Sequence, residues 1–377
     1  MNFRRIWVWT SLHLLCLISA PVLLLADDGP DHQAVSRPLR FGTSGGNIYD
    51  RSSAFCCSGT LGALARGADG RSYILSNNHV LARTNAGSQG DPIIQPGLID
   101  QSPVCSQDDN DRVGTLASWQ AISFQRGTTN HVDAAIAEIT TAAVDGRIVD
   151  IPSLSASRRG DLNDTVQKSG RTTGYTTGTI AAVNVTISVK YGSRCGGGRG
   201  AGTFTDQIRI TPATFSDGGD SGSLILTTTG NPVGLLFAGS STNTFANQID
   251  RVLDAFAITI PQYTAAGSFR SWFADLLLKP RAAYAAQEGV RVSPVSKAAA
   301  DRAKARHEKA LLAIQGVIGV GVGVSDSNAT EAVVEVYVEH GGQRLRSSIP
   351  DHVDNVRVKV VETGEITARA MCDRPVK

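Results

Sequence analysis

The sequence predicts an all-β chain of short strands, a sandwich or barrels, followed by a small α+β unit. Three observations point there. Thirty-nine glycines against only 6% aromatic residues call for many tight turns. From about residue 41 to 262, short apolar runs alternate with turn residues. Near Val295 the texture changes to a charged, Ala- and Leu-rich stretch followed by Val-rich runs. The length, 377 residues, is enough for two or three domains. With 41% hydrophobic and 19% charged residues the chain is neither wholly disordered nor a multi-span membrane protein. Arg4 and Arg5 supply its net charge of +2; without them 34 basic residues balance 34 acidic ones, so no basic domain argues for nucleic acid.

Taken in order, residues 1–26 read as a secretory signal. Arg4 and Arg5 precede an apolar run at 6–25, and Ala26 stands before Asp27 and Asp28. The alternative is an uncleaved membrane anchor, since the run is about long enough to span a bilayer. Thr10, Ser11, His13 and Pro21 interrupt it. Either way the remainder is exported, secreted or periplasmic, and free of the membrane once the signal is cut. Residues 27–40 form a polar leader.

Strands are expected at 60–64, 72–75, 132–139, 166–168, 180–189, 207–211, 223–227 and 232–238, and a short helix at 249–256. Residues 263–295 read as a connector with a helix at 269–278, stopped by Pro280. The last unit, 296–377, carries a helix at 298–314 and strands at 316–324, 332–339 and 356–362. Its Gly-Val-Gly-Val-Gly run, Gly319 to Gly323, fits neither the dinucleotide fingerprint nor the P-loop. It reads as a strand where another part of the chain packs close.

Removing Cys16 with the signal leaves Cys56, Cys57, Cys105, Cys195 and Cys372. Export permits disulfides, and an odd number leaves one thiol free or paired between chains. Cys57 with Cys105 is the preferred pair, bracketing the loop that carries His79. No CxxC occurs, so neither a structural zinc site nor a redox motif is supported, and no metal or cofactor is expected. Asp108-Asp109-Asn110-Asp111 has oxygen ligands for calcium but lacks the EF-hand spacing and reads as a solvated loop.

The chemistry gathers in three segments. Gly218-Gly219-Asp220-Ser221-Gly222-Ser223 suits a tight turn that exposes a hydroxyl and aims backbone N–H groups at one spot, as an oxyanion hole needs. Leu75-Ser76-Asn77-Asn78-His79-Val80 is a strand end running into a turn with a histidine. Val132-Asp133-Ala134-Ala135-Ile136-Ala137 places a carboxylate at the start of an apolar strand. A serine nucleophile needs a general base, and that base needs a carboxylate to fix its tautomer. The chain order His79, Asp133, Ser221 disfavours the α/β-hydrolase order, which starts with Ser, and the subtilisin order, which starts with Asp. Two β-barrels remain, with His and Asp on the first and Ser on the second. His131, two residues from Asp133, is a rival base.

These segments, with Cys57–Leu64, resemble chymotrypsin-like serine proteases. Ser169–Ile180, SGRTTGYTTGTI, is similar to a stretch of the secreted α-lytic and streptogrisin-type bacterial enzymes. The whole set with the Gly-Val-Gly-Val-Gly tail also resembles the plant Narrow leaf-type trypsin-like proteins. The resemblance covers residues 41–262, the expected protease domain, and implies a double six-stranded barrel. It implies Ser221 as nucleophile, His79 as general base and acid, Asp133 as the orienting carboxylate, and the N–H groups of Gly219 and Ser221 as the oxyanion hole. Phe215, Phe237 and Gly239 would edge a pocket for an apolar or small side chain, although Asp217 lies nearby. Ser223 replaces the family's second glycine, and Thr177 stands where the α-lytic type has a half-cystine.

The implied function is an exported serine endopeptidase acting on protein or peptide. Two alternatives stand beside it: a catalytically silent barrel that binds or scaffolds, and an acyl hydrolase that spares peptides. The C-terminal unit carries no catalytic constellation and is expected to contact and regulate the barrels.

Overall fold

A computed structural model describes residues 31–192, 199–264, 290–368 and 371–375. The expected signal, the helix at 269–278 and Cys195 lie outside these residues. From His32 onward the described residues belong to one compact unit, and it is mostly β.

The first large sheet has the order Ile258–Thr259, Ala63–Gly67, Ser72–Ser76, Ala135–Ile139, Arg112–Trp119, Pro92–Ile94, Thr43–Asn47, Phe55–Leu61 and Met371–Pro375. Phe55–Leu61 and Ala63–Gly67 are one run of chain broken at Gly62, so the order leads back to its own beginning. Leu61, Ile74, Leu75, Val113, Leu116 and Ile136 belong to the buried core of this sheet.

The second sheet runs Thr165–Gly170, Leu224–Thr227, Pro232–Gly239, Thr244–Gln248, Gly200–Thr211 and Gly174–Tyr191. Thr165–Gly170 also pairs with Gly174–Tyr191, so these six strands return on themselves. Gly174–Tyr191 is 18 residues long, far beyond the apolar run at 180–189. Thr176, Thr177 and Thr179, which hydropathy passes over, extend it through pairing with Lys168, Gln167 and Thr165.

The strand then does a second job. Along Ala182–Ile187 it pairs antiparallel with Val317–Val324, which continues the sheet into Ala332–Val338 and Val356–Glu362. The helix Pro294–Leu312 covers this extension, burying Ala300, Ala303 and Leu311. It begins four residues before the expected 298, because the Ser293 side chain caps it and Pro294 sits in the first turn, where no N–H is needed. The Gly-Val-Gly-Val-Gly run is the strand anticipated. A Cβ at Gly319 would lie 2.5 Å from the Thr186 carbonyl oxygen, and one at Gly321 would lie 2.5 Å from the Tyr337 hydroxyl.

The expected Cys57–Cys105 pair is not formed. Cys105 bonds Cys56, with Cα atoms 5.7 Å apart. Successive strand residues face opposite sides. Cys56 faces the Ile48, Ile94, Leu98 and Ile99 cluster that contains Cys105. Cys57 is itself disulfide-bonded. Among the described residues no group of three His, Cys, Asp or Glu could hold a metal, and no helix is long and apolar enough to cross a membrane. Asp108 caps a one-turn helix at Asp109–Asp111, and Asp111 accepts from Arg37 and Gln101.

Candidate active site

His79 sits in the one-turn helix Asn78–Leu81 that follows the strand Ser72–Ser76. The two asparagines ahead of it hold that turn. Asn77 Nδ2 donates to the Asp133 carbonyl oxygen at 2.6 Å, and Asn78 Nδ2 donates to the Gln120 carbonyl oxygen at 2.7 Å. Asp133 lies just before the strand Ala135–Ile139, with its amide donating to Asn247 Oδ1 at 3.1 Å. His79 and Asp133 are brought together: Nδ1 is 2.5 Å from Oδ2, and the His79 amide donates to Oδ1 at 3.2 Å. Both side chains are buried. The contact puts the proton on Nδ1 and leaves Nε2 as the free acceptor, and Nε2 has no partner among the described residues.

A residue that no motif pointed to completes this pair. Tyr191, the last residue of the long strand, donates its hydroxyl to Asp133 Oδ2 at 2.8 Å. Its ring meets the His79 ring edge-on at 6.0 Å. Burial, then the Asp133 charge, pushes the Tyr191 phenol well above its ordinary value, so it stays a donor. The only sequence signal for Tyr191 is its place at the end of an alternating apolar run.

Ser221 occupies the turn between the helical turn Ala213–Phe215 and the strand Leu224–Thr227. Gly219 has φ of +97°, which an L side chain resists, and a Cβ there would lie 2.3 Å from Thr172 Oγ1. Asp220 pins the turn from inside. Its Oδ1 accepts from the Thr172 and Thr173 amides at 2.9 and 3.2 Å, and its Oδ2 from Thr173 Oγ1 and the Asp217 amide at 2.7 and 2.9 Å. The fully buried Lys168 stands 3.4 Å from Oδ2. Burial lowers the Lys168 pKa, and Asp220 offsets part of that. Two residues of the Ser169–Ile180 motif, Thr172 and Thr173, thus serve this one carboxylate, with the lysine just before the motif. Among the described residues, the amides of Gly219 and Ser221 donate to no protein acceptor.

The Ser221 turn lies against the first sheet. Thr60 donates its amide to the Ser221 carbonyl oxygen at 2.8 Å, and Thr60 Oγ1 donates to the Gly219 carbonyl oxygen at 2.9 Å. A Cβ on the neighbouring Gly59 would fall 2.5 Å from Val80 and 3.0 Å from the Ser221 carbonyl oxygen, so serine and histidine segments meet there. The Ser221 hydroxyl does not turn to His79; it donates to the Phe237 carbonyl oxygen at 3.3 Å. Ser221 is 0% exposed and His79 3%.

The remaining candidates are dispersed. Phe215 is buried in the cluster with Val166, Ile180 and Ile225, whereas Phe237 meets Phe204 with ring centroids 4.9 Å apart and planes tilted by 47°, in a separate cluster. Gly239 is buried in its strand and paired with Thr367. Asp217 is spent on the turn. Its Oδ1 accepts the Gly218 amide at 2.7 Å. His131 is exposed and meets Thr205 Oγ1 at 3.1 Å, away from the carboxylate two residues on.

No protein-family model matches the chain, and no curated protein matches it. Solved structures of chymotrypsin-like serine proteases resemble it. A glutamic acid-specific serine protease described as using a histidine triad in substrate binding is 20% identical, with 59% of this chain and 100% of that one covered and a TM-score of 0.41. The Nocardiopsis protease is 19% identical over 56% and 98%, with a TM-score of 0.37. Thermobifida fusca protease A is 20% identical over 57% and 99%, with a TM-score of 0.36.

Proposed function

We propose that the chain is an exported serine endopeptidase, with residues 41–262 as a double-barrel protease domain and residues 296–377 as a regulatory appendage. The supporting observation is the buried His79–Asp133 pair, whose Nδ1 contact of 2.5 Å leaves Nε2 free, with Val80 next to it and the Ser221 carbonyl oxygen both against Gly59. In this reading Ser221 Oγ attacks the carbonyl carbon of a peptide bond and passes its proton to His79 Nε2. His79 gives that proton to the departing amine, and water attacks the acyl-enzyme by the reverse route. Asp133 keeps the imidazole in its tautomer and stabilises the imidazolium. The Gly219 and Ser221 amides supply the oxyanion hole, held by the Asp220 network that needs no newly cut N-terminus. This chemistry asks the Ser221 hydroxyl to leave the Phe237 carbonyl oxygen for Nε2.

The bond from Ser221 to Phe237 and the complete burial of the serine favour a second reading, a silent barrel that keeps the triad without turnover. Fluorophosphonate labelling separates them. An activated serine gives a Ser221 adduct that vanishes in Ser221→Ala and slows at least 100-fold in His79→Ala. A folded chain whose serine stays unlabelled with its cleft open belongs to the second reading.

A further inference from the structure

Ser221 and His79 are buried, and the strand pairings bring the C-terminal segment onto the two strands that hold the Ser221 turn. Thr367–Ala368 adds antiparallel to the edge of Pro232–Gly239, with Ala368 opposite Ala238 and Thr367 opposite Gly239. That strand contains Phe237, whose carbonyl oxygen holds the Ser221 hydroxyl. Met371–Pro375 adds antiparallel to Phe55–Leu61 in the other sheet, with Met371 opposite Ser58. That strand contains Thr60, whose amide holds the Ser221 carbonyl oxygen. Two residues of sequence separate Ala368 from Met371, and the described residues on either side of them pair with the two strands that hold the Ser221 turn.

The segment is anchored at both ends. Ile366 is buried in the cluster that contains Phe237 and Tyr191. Its carbonyl oxygen accepts the Lys190 amide at 2.9 Å, and Lys190 Nζ reaches Glu365 at 2.5 Å. At the other end, Arg171 Nη1 donates to Met371 Sδ at 2.9 Å. The same guanidinium is held by both carboxylate oxygens of Asp100 and lies against Gly219, where a Cβ would meet Nη1 at 3.2 Å.

We propose that the cleft beside Ser221 is a binding site for an extended peptide strand, and that the C-terminal segment of this chain is its resident occupant and excludes substrate until it leaves. This rests on the peptidase reading above and gives it a substrate form. A peptide enters as an added strand, main chain on main chain, with small residues where Thr367 and Ala368 now lie. A tether makes the occupant hard to displace, because its effective concentration at the cleft is in the millimolar range or above.

The test compares the signal-free full chain with one ending after Ile366, each checked for cooperative thermal unfolding. Two readouts are taken: the rate of fluorophosphonate adduct formation at Ser221, and anisotropy of a fluorescent peptide of residues 366–375 carrying Cys372→Ser. The expected result is labelling at least tenfold faster in the shortened chain, saturable peptide binding to it alone, and slowing of its labelling by the peptide. Equal labelling rates and no peptide binding would overturn the proposal. Peptide binding to the shortened chain without labelling of either chain would keep the occupancy and sink the peptidase reading. If the shortened chain does not unfold cooperatively, Ala368→Pro in the full chain takes its place, since proline disrupts the added strand from within. Labelling unchanged in that variant overturns the proposal equally.

Discussion

Tyr191 gives Asp133 a third donor, after the His79 ring and the His79 amide. A hydrogen bond to a carboxylate contributes about 1.5–3 kcal/mol. Tyr191→Phe keeps the ring against His79 and removes only the hydroxyl. The expected outcome is a fall in kcat of roughly 10- to 100-fold with KM unchanged. A kcat loss matched by an equal fall in unfolding midpoint would make Tyr191 merely structural. Asp50 offers a second test. It is buried, and burial pushes its carboxyl from 3.8 up to about 7, against the pull of Arg83 and His79. The folded chain therefore keeps a proton that the unfolded chain has released between those values. Stability should fall as pH rises from about 4 to 7, by on the order of 4 kcal/mol in all, and level off above. Asp50→Asn should flatten that slope in urea titrations across the same window.

The motifs around His79, Asp133 and Ser221 were legible in sequence because their other residues hold these side chains in place; the structure brings His79 to Asp133, while the Ser221 hydroxyl goes to the Phe237 carbonyl oxygen. Asn77 and Asn78 fix the His79 turn, and Asp220 fixes the Ser221 turn. Tyr191 was not legible, since it reaches Asp133 through a pairing of distant strands that no local pattern records. The same holds for elements. Apolar runs located Ser72–Ser76, Pro232–Gly239 and Ala332–Val338 within a residue or two. They missed Arg112–Trp119, Thr244–Gln248 and Thr367–Ala368, whose polar or short sequences are strands only because a neighbour supplies the ladder. The disulfide failed for a related reason: choosing between adjacent cysteines requires knowing which face of Phe55–Leu61 meets Cys105. One joint between elements is directly testable. Arg209 on Gly200–Thr211 pairs with Glu335 on Ala332–Val338 through Nη2 and Nε at 2.8 and 3.1 Å, fully buried, with Tyr337 donating to Glu335 at 2.9 Å. Glu335→Ala takes the carboxylate from the guanidinium, which keeps only neutral partners such as Asn243 Oδ1 at 2.8 Å, and should cost about 3–5 kcal/mol, read as a lower urea midpoint. Arg209→Met with Glu335→Leu should recover most of that loss.

At the scale of the molecule, the sequence divides into a Gly-rich β region and an Ala- and Val-rich tail. That change of texture is real, yet Gly174–Tyr191 carries one sheet through both. A composition shift marks where packing changes from strand on strand to helix on sheet; it is silent about hydrogen bonds that cross it. The pairing of Met371–Pro375 with Phe55–Leu61 joins nearly the last residues of the chain to an early strand. The entropy of closing so long a loop grows only with the logarithm of its length, at about 0.6 kcal/mol per doubling, so distance in sequence is a small obstacle to the final fold. Its consequence is one of timing. A chain made from its N-terminus has both Phe55–Leu61 and Pro232–Gly239 synthesised before residues 367–375 emerge, so on the occupancy proposed above a new molecule passes through an interval in which the cleft stands open.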